Sequence, residues 1–273
     1  MFKIHKNVRR LTTTEKKQYQ DLGYIKNLPV FSSDAAIELH SFYEDLSKRM
    51  PKGIDINKTN MWHKASKKFH DLCRTPAILD YVEDILGPNF VQWGGQFFNK
   101  NPNDGSAVPW HQDAQYWPLN PSNAVTVWLA IYDTDIENGA MKVVAGSHKK
   151  GKGGYKHHIN QANHLVLEQE VSADQIDSEN VVYIDLKAGE ISLHNDGLLH
   201  GSDPNTSNRR RCGITMRFSP TNVKGDLKIW PFFETQLARG TDEYKFNPIA
   251  KIPKGEATPV KRFSFSKEFE KDW

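Results

Sequence analysis

The chain has 273 residues, of which 38% are hydrophobic and 25% charged, a balance that suits one large or two small folded domains and excludes a disordered chain. Its 36 basic and 33 acidic residues leave a formal net charge of only +3, too even for the concentrated basic face that nucleic-acid binding requires. No apolar run approaches a membrane span, the basic N-terminal stretch has no apolar signal segment, and two cysteines, Cys73 and Cys212, make neither a disulfide framework nor a cysteine zinc site; a reducing, cytoplasmic setting is expected.

The first third reads as helical. Thr12 to Glu15 has the capping-box pattern and predicts a short helix ending near Gly23. Ala35, Leu39, Phe42, Tyr43 and Leu46 recur at helical spacing before Pro51. Pro76 fits the first turn of a further helix with Leu79, Val82, Ile85 and Leu86 on its apolar face, stopped by Gly87-Pro88. From about Phe90 the pattern changes to strands, predicted at 91–98, 124–132, 142–145, 181–186, 190–194 and 212–219. In the second of these Val125, Val127, Leu129 and Ile131 face one way, and Thr126, Trp128, Ala130 and Tyr132 the other. The Lys- and Gly-rich stretch 149–154 reads as a mobile loop. Helices followed by many short strands predict a β-sandwich or barrel with flanking helices.

The strongest local signal for chemistry is Trp110-His111-Gln112-Asp113. On an extended segment, positions i and i+2 share a face, so His111 and Asp113 can offer one imidazole nitrogen and one carboxylate oxygen to a single metal ion. Two histidines and a carboxylate on one face, with positions left open, is the donor set of non-haem iron(II) oxygenases. The distant histidine lies within 192–202, where His194, Asp196 and His200 leave two pairings open, since His194 and Asp196 make a second His-x-Asp. Shortly after come Arg209, Arg210 and Arg211. Alternation turns Arg211 inward with Gly213 and Thr215 and Arg210 outward, and an inward guanidinium suits the far carboxylate of a dicarboxylate cosubstrate.

These residues resemble the phytanoyl-CoA dioxygenase family. The resemblance runs over roughly 70–219. It is carried by Trp110-His111-Gln112-Asp113, Tyr116-Trp117, Glu137-Asn138-Gly139, Gly146-Ser147-His148-Lys149, Leu198-Leu199-His200-Gly201-Ser202 and Pro204-Asn205. It implies a double-stranded β-helix (jelly roll, cupin-like), mainly β with flanking helices. A single domain over 1–273 is expected, with a mostly helical part at 1–88, the jelly-roll core at 89–220 and an extension at 221–273. It further implies iron(II) held by His111, Asp113 and His200, with His194 not a ligand. 2-Oxoglutarate and O₂ are the implied cosubstrates. Arg211, eleven positions after His200, and Ser202 are implied to hold the distal carboxylate, with Trp128 and Gln96 at further cosubstrate positions. Lys58 and Lys64 both lie near an upstream lysine position of part of the family, and neither aligns cleanly. Halogenating relatives replace the carboxylate ligand with a small residue; Asp113 is present here, so the expected reaction is hydroxylation, or a related oxidation, of a small molecule.

Tyr116, Trp117 and Asn195 flank the ligands and are expected to border the substrate. His148, His157, His158 and His164 fall in a His- and Lys-rich stretch, and 149–170 could form a lid. The run from Trp230 to Phe233 and the late Phe263, Phe265 and Phe269 read as core. Rival readings are an iron-binding sensor on the same fold and a cupin-type metal enzyme that does not use 2-oxoglutarate.

Overall fold

The structure is a computed structural model that describes residues 2–160, 167 and 169–259. Helix α1 (Thr13–Leu22) begins where Thr12 and Glu15 cap each other reciprocally, and it ends at Gly23, whose φ of 82° is the left-handed conformation that glycine adopts without penalty. Strand β1 (Tyr24–Pro29) follows directly, inside the part read from sequence as helical. Then come α2 (Ser33–Lys48), α3 (Lys67–Cys73) and α4 (Pro76–Leu86). Of the apolar positions predicted for these helices, Ala35, Leu39, Phe42, Tyr43 and Leu46 in α2 and Leu79 and Val82 in α4 are buried, while Ile85 and Leu86 at the end of α4 are half-buried against the same core.

The remainder is β2 (Phe90–Lys100), β3 (Val108–Gln112), the single turn α5 (Asp113–Tyr116), β4 (Leu119–Asn120), β5 (Val125–Ala130), β6 (Met141–Val144), β7 (His157–Ile159), β8 (Gln169–Val171), β9 (Val181–Tyr183), β10 (Glu190–Asn195), β11 (Leu199–Ser202), β12 (Arg211–Pro220), β13 (Lys224–Gly225) and β14 (Gln236–Arg239). Two antiparallel sheets form the jelly roll: a six-stranded one in the order β1-β10-β5-β12-β2-β14 and a four-stranded one in the order β3-β11-β6-β9. The predicted strand at 181–186 is shorter than expected, because beyond Tyr183 only an isolated bridge from Leu186 to Thr134 remains. The stretch 149–154 is not the free loop its composition suggests. Ser147–Lys150 winds into a 3₁₀ turn, the Gln112 amide donates to the Gly151 carbonyl (3.1 Å), and the Lys152 ammonium donates to the Trp117 carbonyl (2.8 Å). No helix among the described residues is long and apolar enough to cross a membrane.

The six-stranded sheet divides its side chains by parity. Val125, Val127, Leu129, Phe97, Ile214, Met216 and Phe218 pack outward with the helices in one continuous apolar core. The other parity, Thr126, Trp128, Gln96, Thr215 and Arg211, faces the space between the sheets. Register builds that inner surface as rows. Ser192, Trp128, Thr215 and Gln96 stand opposite one another on four successive strands, and so do His194, Thr126, Arg217 and Gly94. Trp128 can lie flat because its diagonal neighbour Gly213 has no side chain; a β-carbon there would overlap the indole ring.

Gly213→Ala is therefore expected to lower stability by about 1–3 kcal/mol, the usual cost of overpacking a filled interior. Gly105→Ala, at a position where a β-carbon meets nothing within 4 Å, serves as the control. Equal urea midpoints for the two variants would show that Trp128 is not fixed against Gly213.

Candidate metal and cosubstrate site

The pairing of β11 with β3 sets His200 directly opposite His111. Asp113 follows at the first residue of α5, where the chain leaves the strand. One ligand atom from each of His111, Asp113 and His200 lies within 4.8 Å of the others, and this is the one such group of potential metal ligands among the described residues. The Nε2 atoms of His111 and His200 stand 3.8 and 3.9 Å from the same carboxylate oxygen, Asp113 Oδ1. In both histidines Nδ1–H donates to the carbonyl two residues earlier, Pro109 (2.8 Å) and Leu198 (2.9 Å). That bond fixes the tautomer, so Nε2 presents a lone pair to the common centre.

The electrostatics agree. Burial pushes the His111 imidazole below its ordinary value, and burial together with His111 does the same to His200, so both remain neutral donors. Burial by itself would raise the Asp113 carboxyl, but His194, His200 and Arg217 outweigh it and hold the group well below the carboxylate range. Two neutral imidazoles and an ionised carboxylate on one face, opening on a cavity, suit a divalent first-row ion that keeps positions free for other ligands.

His194, the other histidine left open by the sequence, approaches the opposite oxygen. Its Nε2 lies 3.7 Å from Asp113 Oδ2, on which Thr126 Oγ1 also converges at 3.4 Å. It stands behind the carboxylate, beyond hydrogen-bond distance, and is not among the three grouped ligand atoms. Asp196, its partner in the second His-x-Asp, accepts from Ser122 Oγ (2.8 Å) and takes no part in the group.

The three consecutive arginines have three different fates. Arg209 pairs at the surface with Asp135 and Glu137, and Arg210 lies over the Tyr43 ring. Arg211 is 3% exposed and lines the cavity. Its Nε donates to the Gly139 carbonyl (3.0 Å), Nη1 to that of Phe98 (3.3 Å) and Nη2 to Ser202 Oγ (3.2 Å). No carboxylate among the described residues comes within ion-pair distance of it. Burial lowers its guanidinium to about 10, still charged at neutral pH. The Trp128 ring stands 5.8 Å away, and Gln96 lines the same cavity with its amide donating to the Asn57 carbonyl.

The cavity between the sheets has a volume of about 820 Å³. Tyr116 and Trp117 line it, with the Tyr116 ring edge-on to His111 at 5.9 Å. Asn195 does not. Strand parity turns it away from the side on which His194 faces the cavity, and its Oδ1 accepts from the Gly197 amide. Trp230, read from sequence as core, belongs to the cavity wall, whereas its neighbour Phe233 packs on Trp93 beneath it. Lys58 lines the cavity; Lys64 pairs with Glu234 instead (2.9 Å). Arg217 was not singled out in the sequence, although continuing the alternation from Arg211 through Thr215 leads to it. His157 and His158 belong to the β7–β8 hairpin, and His148 bonds to the Gln20 carbonyl. His164, Phe263, Phe265, Phe269 and most of the middle of the expected lid lie outside the described residues.

The family model for "Phytanoyl-CoA dioxygenase (PhyH)" matches residues 32–213. The peroxisomal phytanoyl-CoA dioxygenase of Bos taurus is 29% identical over 78% of this chain and 69% of its own. A probable alpha-ketoglutarate-dependent hypophosphite dioxygenase of Stutzerimonas stutzeri is 26% identical over 80% and 79%. Among solved structures, the apo form of the non-heme monooxygenase ThoJ is 25% identical and superposes with a TM-score of 0.73, covering 88% of this chain and 89% of that one. The chain belongs to the phytanoyl-CoA dioxygenase family and is an iron(II)- and 2-oxoglutarate-dependent dioxygenase.

Proposed function

We propose that the protein hydroxylates an unactivated C–H bond of a small-molecule metabolite, with His111, Asp113 and His200 holding iron(II) and Arg211 with Ser202 holding the distal carboxylate of 2-oxoglutarate. The observation that carries this reading is the pairing of two features across one cavity: three ligand atoms converging on one wall and, on another, a buried Arg211 with no carboxylate partner among the described residues. A buried guanidinium left without an anion is costly, and a dicarboxylate cosubstrate supplies one. The hypophosphite dioxygenase among the relatives is named for a small substrate, which supports the same class here.

Iron(II), 2-oxoglutarate and O₂ supply the oxidation when bound, with the cosubstrate leaving as succinate and CO₂. The protein's contribution is positional. The Pro109 and Leu198 carbonyls aim the two imidazoles. Thr126 and His194 lie around Asp113 Oδ2, so Oδ1, which faces both histidines, would be the oxygen to hold the ion. Ser202 orients the guanidinium of Arg211, while Trp128 and Gln96 would flank the cosubstrate from the cavity wall. Tyr116 and Trp117 border the space next to the ligands, and Lys152 ties the 147–154 segment down beside them.

Two outcomes test the assignment. Asp113→Ala is expected to lose iron(II) binding by at least about tenfold and to abolish turnover; hydroxylation at an undiminished rate would remove Asp113 from the ligand set. Stepwise anaerobic addition of iron(II) and 2-oxoglutarate to the wild type is expected to give a metal-to-ligand charge-transfer band only when both are present. In Arg211→Gln that band should require far more 2-oxoglutarate. An unchanged requirement would mean that another group holds the distal carboxylate.

A further inference from the structure

Arg217 lies on β12 six residues beyond Arg211, and both line the cavity. Six extended residues set their Cα atoms roughly 20 Å apart, well beyond the length of a five-carbon dicarboxylate. Register places Arg217 beside Thr126, which itself touches Asp113, so this second guanidinium belongs to the metal end of the cavity. It is 7% exposed. Its Nε is buried with no partner among the described residues, none of whose carboxylates reaches ion-pair distance of it. Burial lowers its basicity, and the opposing influence comes from Asp113. That carboxylate faces the two candidate ligand histidines through Oδ1, and Thr126 and His194 lie around Oδ2.

The surroundings accommodate this arginine rather than neutralise it. Gly94 stands opposite it on β2, and a β-carbon there would come within 2.8 Å of the Arg217 Cδ, so the absence of a side chain makes room for the stem. The Trp117 ring lies 5.2 Å from the guanidinium carbon, a cation–π contact that supports the charge without using its donors. Hydrogen-bond donors buried without acceptors cost more than they return unless a ligand satisfies them.

We propose that Arg217 anchors the substrate by an anionic group, a carboxylate or a phosphonate, so that the molecule oxidised is a small organic anion. The inference rests on the oxygenase reading above and adds the substrate class. The guanidinium fork takes either oxyanion in a bidentate manner, and the aromatic wall of Trp117 and Trp230 faces the organic part.

The test is calorimetric titration of the iron(II)- and 2-oxoglutarate-loaded protein, without O₂, with acetate, methylphosphonate and neutral acetamide. At least one of the two anions should bind the wild type and acetamide should not; whichever anion binds more tightly identifies the planar or the tetrahedral group. Arg217→Gln should weaken that binding about tenfold or more, the loss of one charge-assisted contact, while its charge-transfer titration with 2-oxoglutarate stays as in wild type. Arg217→Lys, which keeps the charge but not the fork, should fall between, and it carries the test if the glutamine variant does not fold. Anion affinity within about twofold of wild type in both variants, no anion binding in the wild type, or a loss of 2-oxoglutarate in place of the anion would each overturn the proposal. Absence of the charge-transfer band in wild type would instead strike the cosubstrate reading. Anion binding would then still be read directly by calorimetry on the protein with iron(II) alone.

Discussion

The site depends on one cross-strand pairing, His111 on β3 against His200 on β11. Residues directly opposite in an antiparallel ladder project to the same face with their β-carbons roughly 4.5–5.5 Å apart. That brings the two imidazoles together although 89 positions separate them in the chain. A slip of one residue would turn one histidine to the opposite face. The backbone also orients the rings, since each Nδ1 is held by the carbonyl two residues before it in its own chain segment. Asp113 completes the group because the strand gives way to a helical turn immediately after Gln112. The metal face is thus a property of sheet register and of where one strand ends.

The six-stranded sheet serves two incompatible environments. Its outer face is covered by α2 and α4 and is apolar along β2, β5, β10 and β12. Its inner face carries Arg211, Arg217, Thr126, Thr215 and Gln96 in a cavity where a charge is expensive. Arg211 offsets part of that cost through two carbonyls and Ser202; among the described residues Arg217 meets the Trp117 ring and, farther off, the charge of Asp113. Folding energy therefore comes from the outer face, while the inner face keeps two buried guanidiniums at the cavity wall. Gly213 and Gly94 permit this by leaving space under Trp128 and beside Arg217.

Segments outside the sheets bind the site together. Gln112, between the two predicted ligands of the His-x-Asp motif, turns to the other face and donates to the carbonyls of Gly151 (3.1 Å) and Gly197 (2.6 Å). It therefore ties β3 to the 147–154 segment and to the turn leading into β11. Lys152 adds a bond to Trp117, whose ring is packed against Trp93 at 4.7 Å. These contacts join a surface segment to the wall that borders the metal face.

Much of this was legible in the chain because it rests on local rules. Reciprocal capping at Thr12 and Glu15, Pro76 at a first helical turn and the strict alternation through Val125 to Leu129 depend on neighbours in sequence, and the helices and strands follow them. The inward turn of Arg211 came from the same alternation. The His-x-Asp pair named a metal chemistry, but the residues themselves left His194 and His200 equivalent. Register made the difference, pairing His200 with His111 and leaving His194 behind Asp113 on the opposite sheet. Tertiary structure likewise turned Asn195 away from the cavity, brought Trp230 into its wall and pinned the Lys- and Gly-rich 149–154 stretch. Each outcome depends on contacts between segments far apart in the chain, and composition carries no record of which distant strand becomes a neighbour. The sequence determined the elements, the faces and the kinds of donor available; only packing decided which donors meet.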